Sequence, residues 1–137
     1  MANAMYDRGR QGFLAGEIDW DADNIKLVCV DEADDTIDIA ADEDLADRAT
    51  ASRVATSGNF ASKTVTDGIA DAADVTLSSV TGDQFESIDI YLDSGVEATS
   101  LMIVNLDTTS DSSLPATPGG GDIVIAWDGG ANKIFKL

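Results

Sequence analysis

The sequence feature that most constrains the fold is the segment Gly119–Leu137, which reads GGGDIVIAWDGGANKIFKL. It contains two apolar runs, Ile123–Trp127 and Lys133–Leu137, joined by a short connection rich in glycine. A short Gly-containing connection between β-type runs is the strongest local signal for a β-hairpin. The segment therefore predicts two paired strands, and it favours an all-β fold for the chain as a whole.

Further runs upstream have the composition of β-strands. Polar turns containing glycine separate them at intervals typical of sandwiches and barrels. The predicted strands are Ile25–Val30, Thr64–Thr66 with Ile69 after an Asp67-Gly68 turn, Val75–Leu77 as a half-buried strand, Ile88–Leu92 as an alternating run, and Leu101–Leu106 as a central strand covered on both faces. We expect a single-domain, all-β, jelly-roll-like β-sandwich of about seven or eight strands.

The first 24 residues differ from the rest and predict a short N-terminal helix or arm over residues 1–24, followed by the β-sandwich domain over residues 25–137. Aromatic residues and arginine are enriched in interface cores, so we predict that this segment contacts a partner, assisted by two lysines of the final hairpin. The predicted interface residues are Tyr6, Arg8, Arg10, Phe13, Leu14, Trp20, Lys133 and Lys136. The alternative left open is that the segment packs across one end of its own sheet.

The chain is strongly acidic, with 26 Asp and Glu against 8 Lys and Arg and a formal net charge of −18. Such a field repels phosphate backbones, so we expect no nucleic-acid partner. No apolar run approaches the roughly 20 residues that span a bilayer, so we expect no membrane partner. The most acidic block, Asp31–Asp47, contains no basic residue and predicts an exposed connection with a short helical turn near Asp42–Asp47.

The sequence argues against catalysis. It contains no histidine, the commonest general base and the commonest metal ligand. Its single cysteine, Cys29, lies in an apolar run, which predicts a small buried hydrophobic residue and not a reactive thiol. We therefore expect no enzyme activity, no catalytic residue and no cofactor.

One acidic stretch partly matches a calcium-binding loop. Asp19, Asp21 and Asp23 match positions 1, 3 and 5 of an EF-hand loop, which also requires glycine at position 6 and glutamate at position 12. Those positions are Asn24 and Val30 here. The stretch therefore favours an acidic approach to the first long strand, and we predict no metal ligands.

Three blocks of the sequence resemble a family of small virion proteins of tailed bacteriophages, some of which are similar to capsid cement or head decoration proteins with β-sandwich or jelly-roll folds. The blocks are MANAMYDRGRQGFLAGEIDWDADNIKLVCVD, ASKTVTDGIADAADVTLSSVTGDQFESIDIYLDSG and GGGDIVIAWDGGANKIFKL. The resemblance implies a homo-oligomer, a dimer or trimer, made in the host cytoplasm and located on the capsid exterior of the virion. Its implied partner is the major capsid protein, bound across the junctions between subunits.

Two alternatives to a cement protein remain open at this point. One is a neck, tail or spike component of the virion, which differs from a cement in its position and copy number. The other is a calcium-dependent β-sandwich module that binds a carbohydrate or a receptor.

Overall fold

The computed structural model describes residues 2–137 and contains, within that range, ten short β-strands, one α-helix and three 3₁₀ turns. The strands and the helix, in chain order, are β1 Ala4–Met5, α1 Asp7–Leu14, β2 Ile25–Val30, β3 Arg53–Thr56, β4 Thr64–Thr66, β5 Ile69–Asp71, β6 Val75–Leu77, β7 Ser87–Leu92, β8 Met102–Leu106, β9 Ile123–Ile125 and β10 Phe135–Lys136. The 3₁₀ turns are Leu45–Asp47, Thr50–Ser52 and Glu97–Thr99.

The strands form one large sheet and two small ones. The large sheet has the order β1-β8-β7-β2-β3, and the small sheets have the orders β10-β5-β4 and β6-β9. Every paired strand runs antiparallel to its neighbour. The expectation of an all-β, sandwich-like domain with a short N-terminal helix is confirmed; jelly-roll connectivity stays a prediction.

The large sheet lies in the middle of the molecule and is covered on both faces. Because side chains alternate along a strand, the register of β2 against β7 sends Leu27 and Ile90 to one face and Val28 and Tyr91 to the other. Leu27 and Ile90 belong to a large apolar cluster that also holds Phe135 from a small sheet, whereas Val28 and Tyr91 belong to a second, smaller cluster. The polar residues Ser87 and Asp89 of β7 are therefore buried together with its apolar ones. In β6, which was predicted as a half-buried strand, Leu77 is buried and Thr76 is exposed.

The C-terminal hairpin predicted from the sequence does not form. β9 pairs with β6, with Ile125 opposite Val75, whereas β10 pairs with β5, with Phe135 opposite Ala70. Between the two strands, Trp127 donates its backbone N–H to Asp74 and its indole N–H to the Ala73 carbonyl. These contacts carry the chain away from β9, so the two apolar runs end in different sheets.

A tight hairpin does form at the Asp67-Gly68 turn between β4 and β5. Both residues have positive φ, 53° for Asp67 and 78° for Gly68. Positive φ at both central residues matches the right-handed twist of the flanking strands, and Asp-Gly is among the sequences that adopt it. This turn was predicted correctly.

The N-terminal segment packs on its own sheet, which is the alternative that the sequence left open. Met5 in β1 pairs with Val104 in β8, and α1 lies against the backbone of β8. A Cβ atom on Gly9 would lie 2.7 Å from the carbonyl oxygen of Ile103, so only glycine permits this approach. Within residues 2–137, no helix has the length and apolar character needed to cross a membrane.

The acidic block covers the second face of the large sheet. Its predicted helical turn is present as the 3₁₀ turn Leu45–Asp47, where the Asp44 side chain accepts from the Ala46 N–H at 3.0 Å. Leu45 is buried in the smaller apolar cluster, together with Tyr6 from the N-terminal segment. The block is therefore only partly the exposed connection that the sequence predicted.

Candidate functional site

Two of the eight predicted interface residues lie in the interior, which corrects that part of the prediction. Tyr6 is 0% exposed and Trp20 is 3% exposed. The Trp20 indole donates to the Asp71 carbonyl at 3.0 Å, and its ring meets Phe135 edge to face at 5.2 Å. Aromatic side chains are suited equally to cores and interfaces. In this protein both Tyr6 and Trp20 lie in the core.

The other four N-terminal residues all belong to α1. Arg8 pairs with Glu17, and Arg10 pairs with Asp7 at 2.9 Å. Phe13 is half-buried, with its ring 5.8 Å from that of Phe135. The next residue, Leu14, is 90% exposed. The N-terminal segment thus presents one prominent apolar side chain to solvent.

The two lysines lie apart from the helix end along the last stretch of chain. Lys136 is exposed on β10, which is an edge strand of its sheet, a position in which a lysine hinders further strand pairing. Lys133 is half-buried and adopts a positive φ of 49°. It lines a cleft described below, and so the two lysines do not form one patch with the arginines.

The most tightly built polar site is centred on Arg48, which the sequence analysis missed. Arg48 is completely buried and donates from Nε to Oδ2 of Asp89 at 2.8 Å. It also donates from Nη2 to Asp42 at 2.8 Å and from Nη1 to Asp35 at 3.2 Å. One guanidinium therefore binds three carboxylates through different nitrogens, which uses its fixed fork geometry fully.

Asp89 is the centre of the same network on the sheet side. Its Oδ1 accepts from the Tyr6 hydroxyl at 2.6 Å and from Asn105 Nδ2 at 2.9 Å. Burial raises the pKa of Asp89, and Arg48 opposes that rise by favouring the ionised carboxylate. Burial also raises the pKa of Tyr6, and the neighbouring Asp89 raises it further. The phenol therefore stays protonated and acts as a donor.

This network attaches the acidic block to the sheet. Asp35 and Asp42 both belong to the block Asp31–Asp47, while Asp89 lies in β7. Arg48 thus neutralises charge within the block and fixes it against the buried face. A signal was present in the sequence, because Arg48 is the first basic residue after the acidic run, and Asp89 lies between two isoleucines in a strand.

A cleft of about 680 Å³ opens beside β9. One wall is the continuous segment Ile123–Gly129 and the other is the loop from Thr108 to Ala116. Apolar side chains form its floor, and the rim carries two exposed carboxylates. The floor residues are Phe85, Ile88, Leu106 and Ile134, and the rim carboxylates are Asp111 and Asp128. The volume is typical of a ligand-sized site.

The carboxylates that lie close enough together to hold a cation do not belong to the EF-hand-like stretch. Asp23 accepts from the backbone N–H of Asp19 at 2.8 Å, so it caps its own turn. Carboxylate oxygens of Asp31, Asp34 and Asp83 lie within 4.8 Å of one another. These three residues come from two distant parts of the sequence, which explains why no local motif predicted their proximity.

Comparison with known proteins adds no family assignment. The sequence matches none of the known protein-family models, and a search of curated proteins finds no similar sequence.

Proposed function

We propose that this chain is a capsid cement, or decoration, protein of a tailed bacteriophage. It binds the outer surface of the head across junctions between major capsid protein subunits and stabilises the shell without catalysing a reaction. The resemblance of three sequence blocks to small virion proteins supports the class. The observation that carries the contact to the shell is the exposure of Leu14 at the end of a firmly packed helix.

Leu14 is held in place by the residues that precede it. Gly9 brings α1 against the β8 backbone, and Phe13 packs on Phe135. A side chain presented by a fixed backbone loses little conformational freedom on binding, which favours affinity. An isolated exposed leucine is common on protein surfaces, but this one ends a helix in which Gly9 and Phe13 pack on the domain and Arg10 forms an ion pair.

The negative charge of this chain and the symmetry of a phage shell support the same role. A net charge of −18 gives decorated particles a negative outer layer that opposes adhesion between particles. Repeated attachment of a dimer or trimer across a symmetric shell converts modest single contacts into high avidity. The same molecule placed at a neck, tail or spike would be present in far fewer copies, so copy number separates these two roles.

The contact is tested with purified protein and undecorated heads. Leu14→Asp is expected to reduce head occupancy severalfold, because it places a charge where we propose an apolar contact. Val96→Asp is the matched control, since Val96 is another exposed apolar residue, on the segment before the Glu97–Thr99 turn. Both variants should unfold at the wild-type denaturant concentration. Equal occupancy for Leu14→Asp and the wild type would show that Leu14 does not contact the head.

A calcium-dependent binding module is the second candidate, favoured by the approach of Asp31, Asp34 and Asp83 within 4.8 Å. Oxygen ligands of this kind suit calcium, although six to eight are needed and backbone or water would have to supply the rest. Calorimetric titration with calcium chloride tests this directly, with the Asp34→Asn variant as the control. Absence of heat, together with an unchanged melting temperature, would rule this candidate out.

A further inference from the structure

The wall of the cleft includes an unpaired strand edge. β9 pairs with β6 on one side only, since these two strands form a two-stranded sheet. Among residues 2–137, no backbone or side-chain group outside β6 hydrogen-bonds to the backbone of Ile123–Ile125. An unpaired edge offers a row of N–H and C=O groups to another extended chain.

The shape of the cleft suits an extended segment. The wall Ile123–Gly129 is continuous along the chain, so an added strand would run beside it. The floor is apolar, and Ile123 and Ile125 remain only partly buried beside it. A bound strand would place alternate side chains onto this floor, because successive side chains point to opposite faces.

The charges around the cleft select the kind of segment. Asp111 and Asp128 are exposed at the rim, and Lys133 is the one basic residue among the lining residues. The Asp128 carboxylate also accepts from the Gly130 N–H at 3.1 Å, which fixes its position. In a pairing of β9 with its own copy, both chains would bring the same two carboxylates to the contact, which disfavours that pairing electrostatically. A basic segment is favoured.

We propose that the cleft binds an extended, basic segment of a partner protein, which adds as a strand to the free edge of β9. Main-chain hydrogen bonds with β9 provide the strand pairing, apolar side chains fill the floor, and lysine or arginine side chains meet Asp111 and Asp128. The proposal goes beyond the capsid role and holds whether or not the chain binds a phage head.

The experiment uses the full chain and three short capped peptides. The first alternates lysine and valine, the second alternates glutamate and valine, and the third is the lysine peptide with its alternate backbone nitrogens methylated. Two-dimensional NMR locates the binding site from the shifts of backbone amides, and the titration gives the dissociation constant. We expect the lysine peptide to shift amides of Ile123–Gly129 and of the loop 108–116, and we expect the other two peptides to bind much more weakly.

Charge variants test the rim. The double variant Asp111→Asn and Asp128→Asn keeps the oxygen acceptors but removes both charges, and it should weaken binding of the lysine peptide about fivefold. The double variant Asp21→Asn and Glu43→Gln changes the net charge equally at exposed sites outside the cleft lining and should leave binding unchanged.

Three outcomes would overturn the proposal. The first is equal binding of the methylated peptide, which would exclude pairing through the backbone. The second is amide shifts confined to residues outside the cleft. The third is concentration-dependent dimerisation with shifts in β9 in the absence of peptide, which would make the edge an interface between copies.

Discussion

Arg48 and Asp89 form an ion pair in which both side chains are 0% exposed, with Nε of Arg48 2.8 Å from Oδ2 of Asp89. The pair joins the end of the acidic block to the middle of β7, a strand covered on both faces. Breaking a buried pair from one side is costly because the remaining charge stays in a medium that solvates it poorly. The pair therefore holds the acidic block in place, and its loss should lower the stability of the whole domain.

The variant Arg48→Met is expected to lower the free energy of unfolding by about 3–5 kcal/mol, because it leaves Asp89 buried without its cation. Urea denaturation at pH 7 measures the change. Arg10→Met is the control, since Arg10 and Asp7 form an exposed pair, and it should change stability by less than about 0.5 kcal/mol. Similar losses for the two variants would mean that the buried pair contributes no more than a surface one.

Gly9→Ala should destabilise the protein by about 1–3 kcal/mol through overpacking, in spite of the higher helix propensity of alanine. The added Cβ would meet backbone atoms of Met102 and Ile103, which cannot move aside without disturbing β8. Gly58→Ala is the matched control, because nothing lies within 4 Å of its Cβ position. Thermal denaturation compares the two, and an unchanged melting temperature for Gly9→Ala would contradict the close packing of α1.

Stability should fall at alkaline pH because burial raises the pKa of Cys29 to about 12. In the unfolded chain the thiol ionises near its ordinary pKa of about 8.5, so its stabilising effect is complete below that pH and is lost progressively up to the folded value. Between pH 8 and pH 10 the free energy of unfolding should drop by about 2 kcal/mol from this group. Tyr91, whose pKa burial raises to about 12, adds its own effect only at higher pH.

Urea denaturation of Cys29→Ala at pH 8, 9 and 10 isolates the thiol contribution. The variant should be less stable than the wild type at pH 8, yet it should lose distinctly less stability than the wild type between pH 8 and pH 10. Parallel pH profiles for the two proteins would show that another group causes the alkaline loss.

Deleting residues 2–16 should unfold the domain or lower its stability by at least about 3 kcal/mol, because the deletion removes the buried Tyr6 ring. It would also remove β1 from the edge of β8 and the hydroxyl donor of Asp89. Circular dichroism with urea titration measures this. A truncated chain as stable as the full one would show that the segment is a dispensable arm.

The sequence predicted correctly those structural features that depend on residues close together in the chain. The apolar runs Ile25–Val30 and Leu101–Leu106 contain buried strands, and Asp67-Gly68 forms its tight turn, since composition and backbone preference decide both. The partners of β9 and β10 were not predictable, because pairing with β6 and β5 depends on contacts between distant residues. The hairpin was predicted because the two β-type runs are close in sequence and are joined by glycines.

The candidate site was harder to predict than the fold. Tyr6 and Trp20 have the composition of interface residues, but residue type does not distinguish a core from an interface. The Arg48 network joins four separate parts of the chain, so no motif of fixed spacing contains it. Only Leu14, of the residues predicted to contact a partner, combines an apolar side chain with nearly full exposure.

The cement role is tested most directly by the copy number and position of this chain in purified virions, measured by quantitative mass spectrometry and by immunogold labelling. The proposed function predicts a copy number comparable to that of the major capsid protein, with label distributed over the outer surface of DNA-filled heads. Label confined to the neck or tail in a few copies, or absence of the chain from virions, would contradict it.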